Sequence, residues 1–302
     1  MQPSYRCAES ARLAGYPAFV PSLLAALHPH ADDAMIRFEE AEHLYTVQWE
    51  DGGGHSEAGI CSVSKLVHRF FPTFDPDGAI AMIRRSKRAV TIKKYAGMTD
   101  DEIRAKWEAD GSQARDNGTF LHFLLECDQN GYQLDCSPYQ NIVQVRQYLR
   151  WKHDFFTPSY RPLRTEFRMK TDASTKITGT ADLLAVNIHS QARAPPGTLL
   201  VTVFDWKFSK GVKFDNMFES GLDVCANLPN VNGVHYSLQQ NMYANMLETY
   251  TGLQFEGRSY ERVVVEALYL AVFHPNFSPT GKLVEIVRDQ GMAQTLIASA
   301  AK

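Results

Sequence analysis

Between residues 162 and 208 three consecutive segments are rich in Val, Thr, Leu and Phe, a composition that favours β-strands. They read PLRTEFRM, KITGTADLLAVNI and TLLVTVFDWKF, and Pro195-Pro196-Gly197 interrupts regular structure between the last two. A fourth strand is predicted over ERVVVEALYLAVF. Helical segments precede the first three strands and flank the fourth. This order predicts an α/β or α+β core, in which helices flank a central mixed sheet.

The helices around these strands carry recognisable start and stop residues. Residues 119–128 are predicted to form a helix that ends at Asn130-Gly131, and residues 138–156 a longer amphipathic helix. Ser237 is predicted to cap a helix over LQQNMYANMLETY that stops at Gly252. The segment QGMAQTLIASA forms the terminal helix in this interpretation.

The N-terminal third has a mixed pattern. Residues 35–49 alternate as a strand pair does, with a turn at residues 51–54, and Ser62 or Ser64 caps a short helix that ends before Pro72. One helix is predicted over residues 79–95, and the capping box Thr99-Asp-Asp-Glu102 opens the next. We therefore predict an N-terminal mixed α/β extension over residues 1–111 and a core, with its C-terminal helix, over residues 112–302.

Composition excludes several classes of protein. The chain has 302 residues, with 31 Lys and Arg against 34 Asp and Glu, so nucleic-acid binding would need a local basic patch. Its five cysteines are scattered without a CxxC pair, which argues against a disulfide scaffold, a zinc ribbon or an iron–sulfur clamp. Without a membrane-length apolar run or a signal region, we expect a soluble intracellular protein; nuclear, mitochondrial, cytoplasmic and viral settings are all compatible.

Charged residues interrupt two of the predicted core strands. Asp182 lies in GTADLLAV, and Asp205 and Lys207 lie two apart in VTVFDWKF, which places them on one face of a strand. A buried carboxylate is costly unless it is paired or binds a metal. Two carboxylates that hold a divalent metal, with a lysine beside them, suit phosphodiester hydrolysis. The alternative is that Asp182 ends a strand and Asp205 forms a surface ion pair with Lys207.

Two helices carry further polar pairs. His122 and Glu126 are four residues apart on one helix face, and imidazole and carboxylate groups can bind Mn²⁺ or Mg²⁺. Alternatively, His122 is partly buried and bonded to Glu126. Gln239 and Tyr243 are likewise one turn apart; alternatively, Tyr243 is a core residue and Gln239 faces solvent.

The order of these motifs, H-x-x-x-E, then GTAD, then D-W-K, then Q-x-x-x-Y, resembles the PD-(D/E)XK nuclease superfamily. It is similar in particular to the RecB-like exonuclease branch, which includes lambda-type and mitochondrial genome maintenance exonucleases. The resemblance covers about residues 112–250 and implies a restriction-endonuclease-like core. The resemblance implies roles for eight residues. Asp182, Asp205 and His122 would be metal ligands, and Lys207 the catalytic lysine. Glu126 would be the helix acid, Glu166 a further acid, and Gln239 and Tyr243 DNA contacts.

The chain departs from the family pattern at three points. Ala181 stands where the family's proline is expected, and Asp205 stands where Glu is commoner. A connection of 22 residues separates Asp182 from Asp205. Cys225 is the only cysteine after the core strands, so the iron–sulfur cluster of some members is not expected.

The densest basic run lies at residues 84–94. On a single helix Arg84, Lys87 and Arg88 would share a face that follows phosphates; the alternative is a solvated face.

Together these features predict a Mg²⁺- or Mn²⁺-dependent DNA nuclease, an exonuclease rather than a site-specific endonuclease. Single-stranded DNA or duplex ends would be its substrate, in DNA repair, recombination or replication. The alternatives are a catalytically inactive nuclease-fold module that binds nucleic acid, and an unrelated α/β enzyme that uses His122 and Glu126 on a small molecule.

Overall fold

The computed structural model describes residues 23–39, 44–49, 55–56, 60–131, 142–216 and 218–300. The turn predicted at residues 51–54 lies outside these ranges, as do the first four residues of the helix predicted over 138–156. Within the described residues the chain forms two compact units, one of residues 73–123 and one of the remaining described residues. The division into residues 1–111 and 112–302 stays a prediction.

Eleven strands are described, all in the second unit. They are β1 (Ile36–Glu39), β2 (Leu44–Gln48), β3 (His55–Ser56), β4 (Cys61–Ser62), β5 (Tyr160–Lys170), β6 (Ile177–Asn187), β7 (Thr198–Lys207), β8 (Leu253–Phe255), β9 (Arg258–Tyr260), β10 (Arg262–Val272) and β11 (Lys282–Glu285). The four long strands β5, β6, β7 and β10 are those that the sequence predicts. The predicted pair within residues 35–49 is confirmed as β1 and β2, which run antiparallel.

Six strands form the central sheet in the order β11-β10-β7-β6-β4, with β5 on the other edge of β6. β7 runs parallel to β10 and β4 parallel to β6, whereas the remaining pairs are antiparallel. The sheet is therefore mixed, and helices flank it. The predicted fold class, a central mixed sheet flanked by helices, is confirmed.

Ten α-helices are described. They are α1 (Leu23–Leu27), α2 (Val63–Arg69), α3 (Pro76–Arg85), α4 (Ala89–Tyr95), α5 (Asp100–Gln129), α6 (Val143–Trp151), α7 (Thr157–Ser159), α8 (Ile188–Gln191), α9 (Asn232–Leu247) and α10 (Gln290–Ser299). Within the described ranges, none of these helices has the length and apolar character that a bilayer span requires.

The helix starts follow the capping rules at two of the three predicted caps. The hydroxyl of Ser62, rather than that of Ser64, accepts from Lys65 N–H at 3.2 Å. Thr99 and Glu102 form the predicted capping box, in which each side chain accepts the other's backbone N–H. The cap predicted at Ser237 is wrong: α9 begins at Asn232, and the Ser237 hydroxyl donates to Gly233 O inside the helix.

The two faces of β7 pack against different helices. Val201 and Val203 belong to the buried cluster that contains Leu238 and Met242 of α9. Trp206 points the other way, and its ring centroid lies 5.3 Å from that of Trp151 on α6. Because successive side chains alternate across a strand, Asp205 and Lys207 lie on the α9 face. The fold thus places charge between the sheet and a helix.

The segment between β7 and α9 approaches the end of α2 closely at Gly221. A Cβ on Gly221 would lie 2.5 Å from Cys225 O and 2.9 Å from Phe70 O, and backbone atoms cannot yield as a flexible side chain does. We expect Gly221→Ala to lower the free energy of unfolding by about 1–3 kcal/mol. Gly211→Ala in the same segment is the matched control, because a Cβ there meets nothing within 4 Å. Urea denaturation measures both; equal effects of the two substitutions would contradict this account.

Candidate active site

The central sheet opens along one edge of β6. β5 pairs with the opposite edge over most of its length, so β4 and β7 share the remaining edge. β4 pairs as far as Thr178, and β7 pairs from Leu183 onward. Residues 179–182 of β6 lie between these two partners, where no strand of the described residues pairs with this edge; we call this gap in the sheet the fork. Asp182 is the last residue of this fork.

β7 brings Asp205 and Lys207 to the same fork. Phe204 pairs with Leu183, so Asp205 and Asp182 are the next residue of each strand where the pairing ends. The N–H of Trp206 donates to Asp182 Oδ2 at 2.7 Å, which joins the two strands beyond their last ladder pair. Despite the connection of 22 residues, Asp182 and the D-x-K segment therefore lie together.

Asp205 and Lys207 form a buried ion pair. Lys207 Nζ lies 2.5 Å from Asp205 Oδ2, and the side chains of Lys207 and Asp205 are 18% and 3% exposed. The alternative of a surface ion pair does not hold for this geometry. Burying both charges away from water costs free energy, which motivates the hypothesis that the pair has a chemical role.

Burial and charge act in opposite directions on the site's ionisable groups. Burial raises the pKa of Asp182, although the ammonium of Lys207 and the Trp206 N–H partly counteract it. Burial lowers the pKa of Lys207, but the carboxylates of Asp205 and Asp182 outweigh burial, so the pKa is raised overall. Lys207 is therefore an ammonium at neutral pH, able to neutralise developing negative charge and unable to accept a proton.

Glu166 sits beside Asp182 in a conformation that is rare for this residue type. Its φ is 44°, in the left-handed region. It occupies the position between the pairs Thr165–Leu183 and Phe167–Ala181, directly across from Asp182. Such backbone strain costs about 1–3 kcal/mol and clusters at functional sites. The strained backbone directs a carboxylate to the fork.

Glu166 and Asp182 are potential metal ligands, because each offers a carboxylate oxygen and these two atoms lie within 4.8 Å of each other. His122 belongs to the unit of residues 73–123, and its role as a metal ligand stays a prediction. Two carboxylates are donors that suit Mn²⁺ or Mg²⁺. Lys207 holds Asp205 Oδ2, and the predicted role of Asp205 as a metal ligand stays a prediction. Glu126 follows His122 by one turn of α5, and its catalytic role stays a prediction.

Gln239 and Tyr243 form a hydrogen-bonded pair on α9. Gln239 Nε2 donates to Tyr243 Oη at 2.8 Å, and burial raises the pKa of the Tyr243 phenol well above its ordinary value. The Tyr243 ring packs on Gly179, where a Cβ would lie 2.5 Å from Tyr243 Cε1. The glycine of the GTAD motif is thus needed for this close approach. DNA contact by Gln239 and Tyr243 stays a prediction.

Sequence reasoning missed Tyr236. Its ring lies under Lys207 Nζ, 4.7 Å from nitrogen to centroid, so it forms a cation–π contact with this lysine. The sequence did contain a signal for Tyr236: it precedes Gln239 by three residues, which places both side chains on one face of α9.

The helix predicted over residues 79–95 is wrong. α3 ends at Arg85 and α4 starts at Ala89, because Ser86 and Arg88 adopt extended backbone conformations, with ψ of 131° and 121°. Arg84, Lys87 and Arg88 therefore do not share a helix face. Arg84 instead bonds Asp100 and Met98 O within residues 73–123. DNA contact by these three residues stays a prediction, but the argument from a shared helix face no longer supports it.

No family model matches this chain, and no curated protein matches it. A crystal structure of a protein named "Putative exonuclease" from Eubacterium rectale aligns with 12% sequence identity and a TM-score of 0.33. The alignment covers 62% of this chain and 63% of that chain, a little under two thirds of its length.

Proposed function

We propose that this protein is a divalent-metal-dependent DNA nuclease that hydrolyses phosphodiester bonds, with exonuclease action on single-stranded DNA or duplex ends. The observation that carries the proposal is the fork in the sheet, where Glu166, Asp182 and the buried Asp205–Lys207 pair meet. Carboxylates beside a buried ammonium combine groups for holding a cation with a fixed positive charge. This combination suits a phosphoryl centre, which is anionic and becomes more so during attack.

The residues present fit a metal ion. Glu166 and Asp182 would hold Mg²⁺ or Mn²⁺, because their carboxylate oxygens lie close together and are hard donors. The family resemblance adds His122 as a further ligand. When bound, the metal lowers the pKa of a coordinated water and neutralises phosphate charge.

The remaining residues would act through charge and position. Lys207, an ammonium fixed by Asp205, stabilises the negative charge that accumulates on the phosphate oxygens. Asp205 orients Lys207 and keeps it protonated. Gln239 and Tyr243 would position the strand, since their paired polar groups lie on the helix that covers this face of the sheet.

Metal removal tests this proposal directly. We expect the purified protein to degrade end-labelled DNA with Mg²⁺ or Mn²⁺ and to lose all cleavage in EDTA, because the acids without a cation repel the phosphate. Labels on the 5′ and the 3′ end, on single strands and on duplexes, report the end preference. Release of labelled mononucleotides identifies an exonuclease. Binding of DNA without cleavage favours the inactive module, and neither binding nor cleavage contradicts both.

A further inference from the structure

A small cavity lies between α2 and α9, on the same side of the sheet as Lys207. It has a volume of about 180 Å³ and is lined by Ser64, Val67 and His68 from α2, with Asn232, His235, Tyr236 and Gln239 from α9. Two of the lining residues also touch the proposed active site. The Tyr236 ring lies 4.7 Å from Lys207 Nζ, and Gln239 bonds Tyr243. The cavity therefore shares a wall with the catalytic lysine.

Among the residues that the structure describes, the cavity wall is polar and aromatic and contains no acidic side chain, lysine or arginine. Within the described residues, His235 Nε2 is buried and has no hydrogen-bond partner. The His235 ring is held in place by Phe71, with centroids 4.1 Å apart. A buried polar atom without a partner is costly to the fold.

These features favour the base of a nucleotide over its phosphate as the group that this cavity binds. A phosphate group favours lysine or arginine, and among the described residues this wall supplies neither. A nucleobase offers a flat face for Tyr236 and polar edges for His235 and Gln239. A cavity of about 150 Å³ accepts one benzene ring, so about 180 Å³ accommodates one heterocyclic ring of similar size.

We infer that this cavity binds the base of a nucleotide next to the bond that is cut, with the base unpaired and stacked against Tyr236. The inference rests on the proposed function and specifies its substrate: a base cannot enter while it is paired in a duplex. The enzyme would therefore engage single-stranded ends directly, and duplex ends only after fraying.

Mononucleotide binding tests the cavity separately from cleavage. The probes are dCMP and deoxyribose 5-phosphate, measured by calorimetry without added metal. We expect dCMP to bind at least tenfold more tightly than the sugar phosphate, and Ser64→Phe to weaken dCMP binding at least tenfold. Ser64 is exposed on α2, so a phenyl group there fills the cavity without a change in the buried core. Ser259→Phe, at an exposed position of β9, is the matched control and should bind dCMP as wild type does.

Three results would overturn the inference: no binding of dCMP, equal binding of the two probes, or unchanged dCMP affinity in Ser64→Phe. Thermal denaturation of Ser64→Phe establishes that the variant is folded. A second measurement uses single-stranded DNA with one abasic residue moved along the strand. We expect cleavage to slow at least tenfold at one position relative to the abasic site; a uniform rate at all positions contradicts the inference. Failure of the wild type to cleave any DNA refutes the proposed function, whereas base-dependent dCMP binding would still establish the cavity.

Discussion

Asp182→Asn should reduce metal-dependent DNA cleavage by about 10³-fold or more while the metal-free protein stays at least as stable as wild type. The amide cannot supply the negative charge that a cation needs, but its oxygen can still accept from Trp206 N–H. Single-turnover cleavage at saturating DNA measures the first effect. Calorimetric titration with Mn²⁺ should show weaker binding in the variant.

The stability expectation follows from the pKa of Asp182. The folded state raises this pKa, so the folded protein binds the proton more tightly than the unfolded chain does. The ionised carboxylate therefore destabilises the fold at neutral pH, and the cost disappears as the pH falls below the ordinary carboxyl pKa. We expect Asp182→Asn to unfold at an equal or higher denaturant concentration at pH 7, and to lose any advantage in acid.

Asp215→Asn is the matched control for this substitution, because Asp215 is exposed in the loop that follows β7. It should leave cleavage and metal binding unchanged. Full cleavage by Asp182→Asn would refute the assignment of Asp182 as a metal ligand. A large loss of stability would instead assign Asp182 a structural role.

Lys207→Met should lower both activity and stability. Activity should fall about 10²–10³-fold, because the fixed positive charge beside the phosphate is lost. The free energy of unfolding should fall by about 3–5 kcal/mol, since Asp205 would remain buried without its cation. Single-turnover rates and urea denaturation measure the two effects.

The double variant Lys207→Met with Asp205→Asn separates these two effects. Removal of both charges should restore most of the stability and none of the activity. Lys210→Met, three residues further along and exposed, is the control and should change neither. If the double variant recovers cleavage, Lys207 has only a structural role. If Lys207→Met is as stable as wild type, Lys207 does not offset the cost of burying the Asp205 carboxylate.

The long elements were predictable from the sequence because their signals are local. β5, β6, β7 and β10 are segments of high strand propensity, and α9 and α10 carry helical periodicity. The same local pattern placed Asp205 and Lys207 on one face of β7. It also kept Gln239 and Tyr243 one turn apart, which the hydrogen bond between them shows.

Errors in the helix predictions arose where tertiary contacts decide the outcome. Residues 79–95 have no proline or glycine to mark the break at residues 86–88, yet the chain leaves the helix there. The start of α9 was missed because Asn232 bonds Gly211 O across the loop, a contact between residues 21 apart. Ser237 resembles a cap, but its hydroxyl bonds inside the helix instead.

The sequence by itself determined the order of helices and strands and the types of residue that carry charge into the sheet. Only the tertiary structure decided that these charges meet. The fork depends on β4, a strand of two residues without a local signal, and on the point where β7 leaves β6. Glu166 joins the group through a left-handed backbone, and Tyr236 meets Lys207 across the space between helix and sheet. Strand partners and register come from contacts between residues distant in sequence, whereas propensity and periodicity act over a few neighbours.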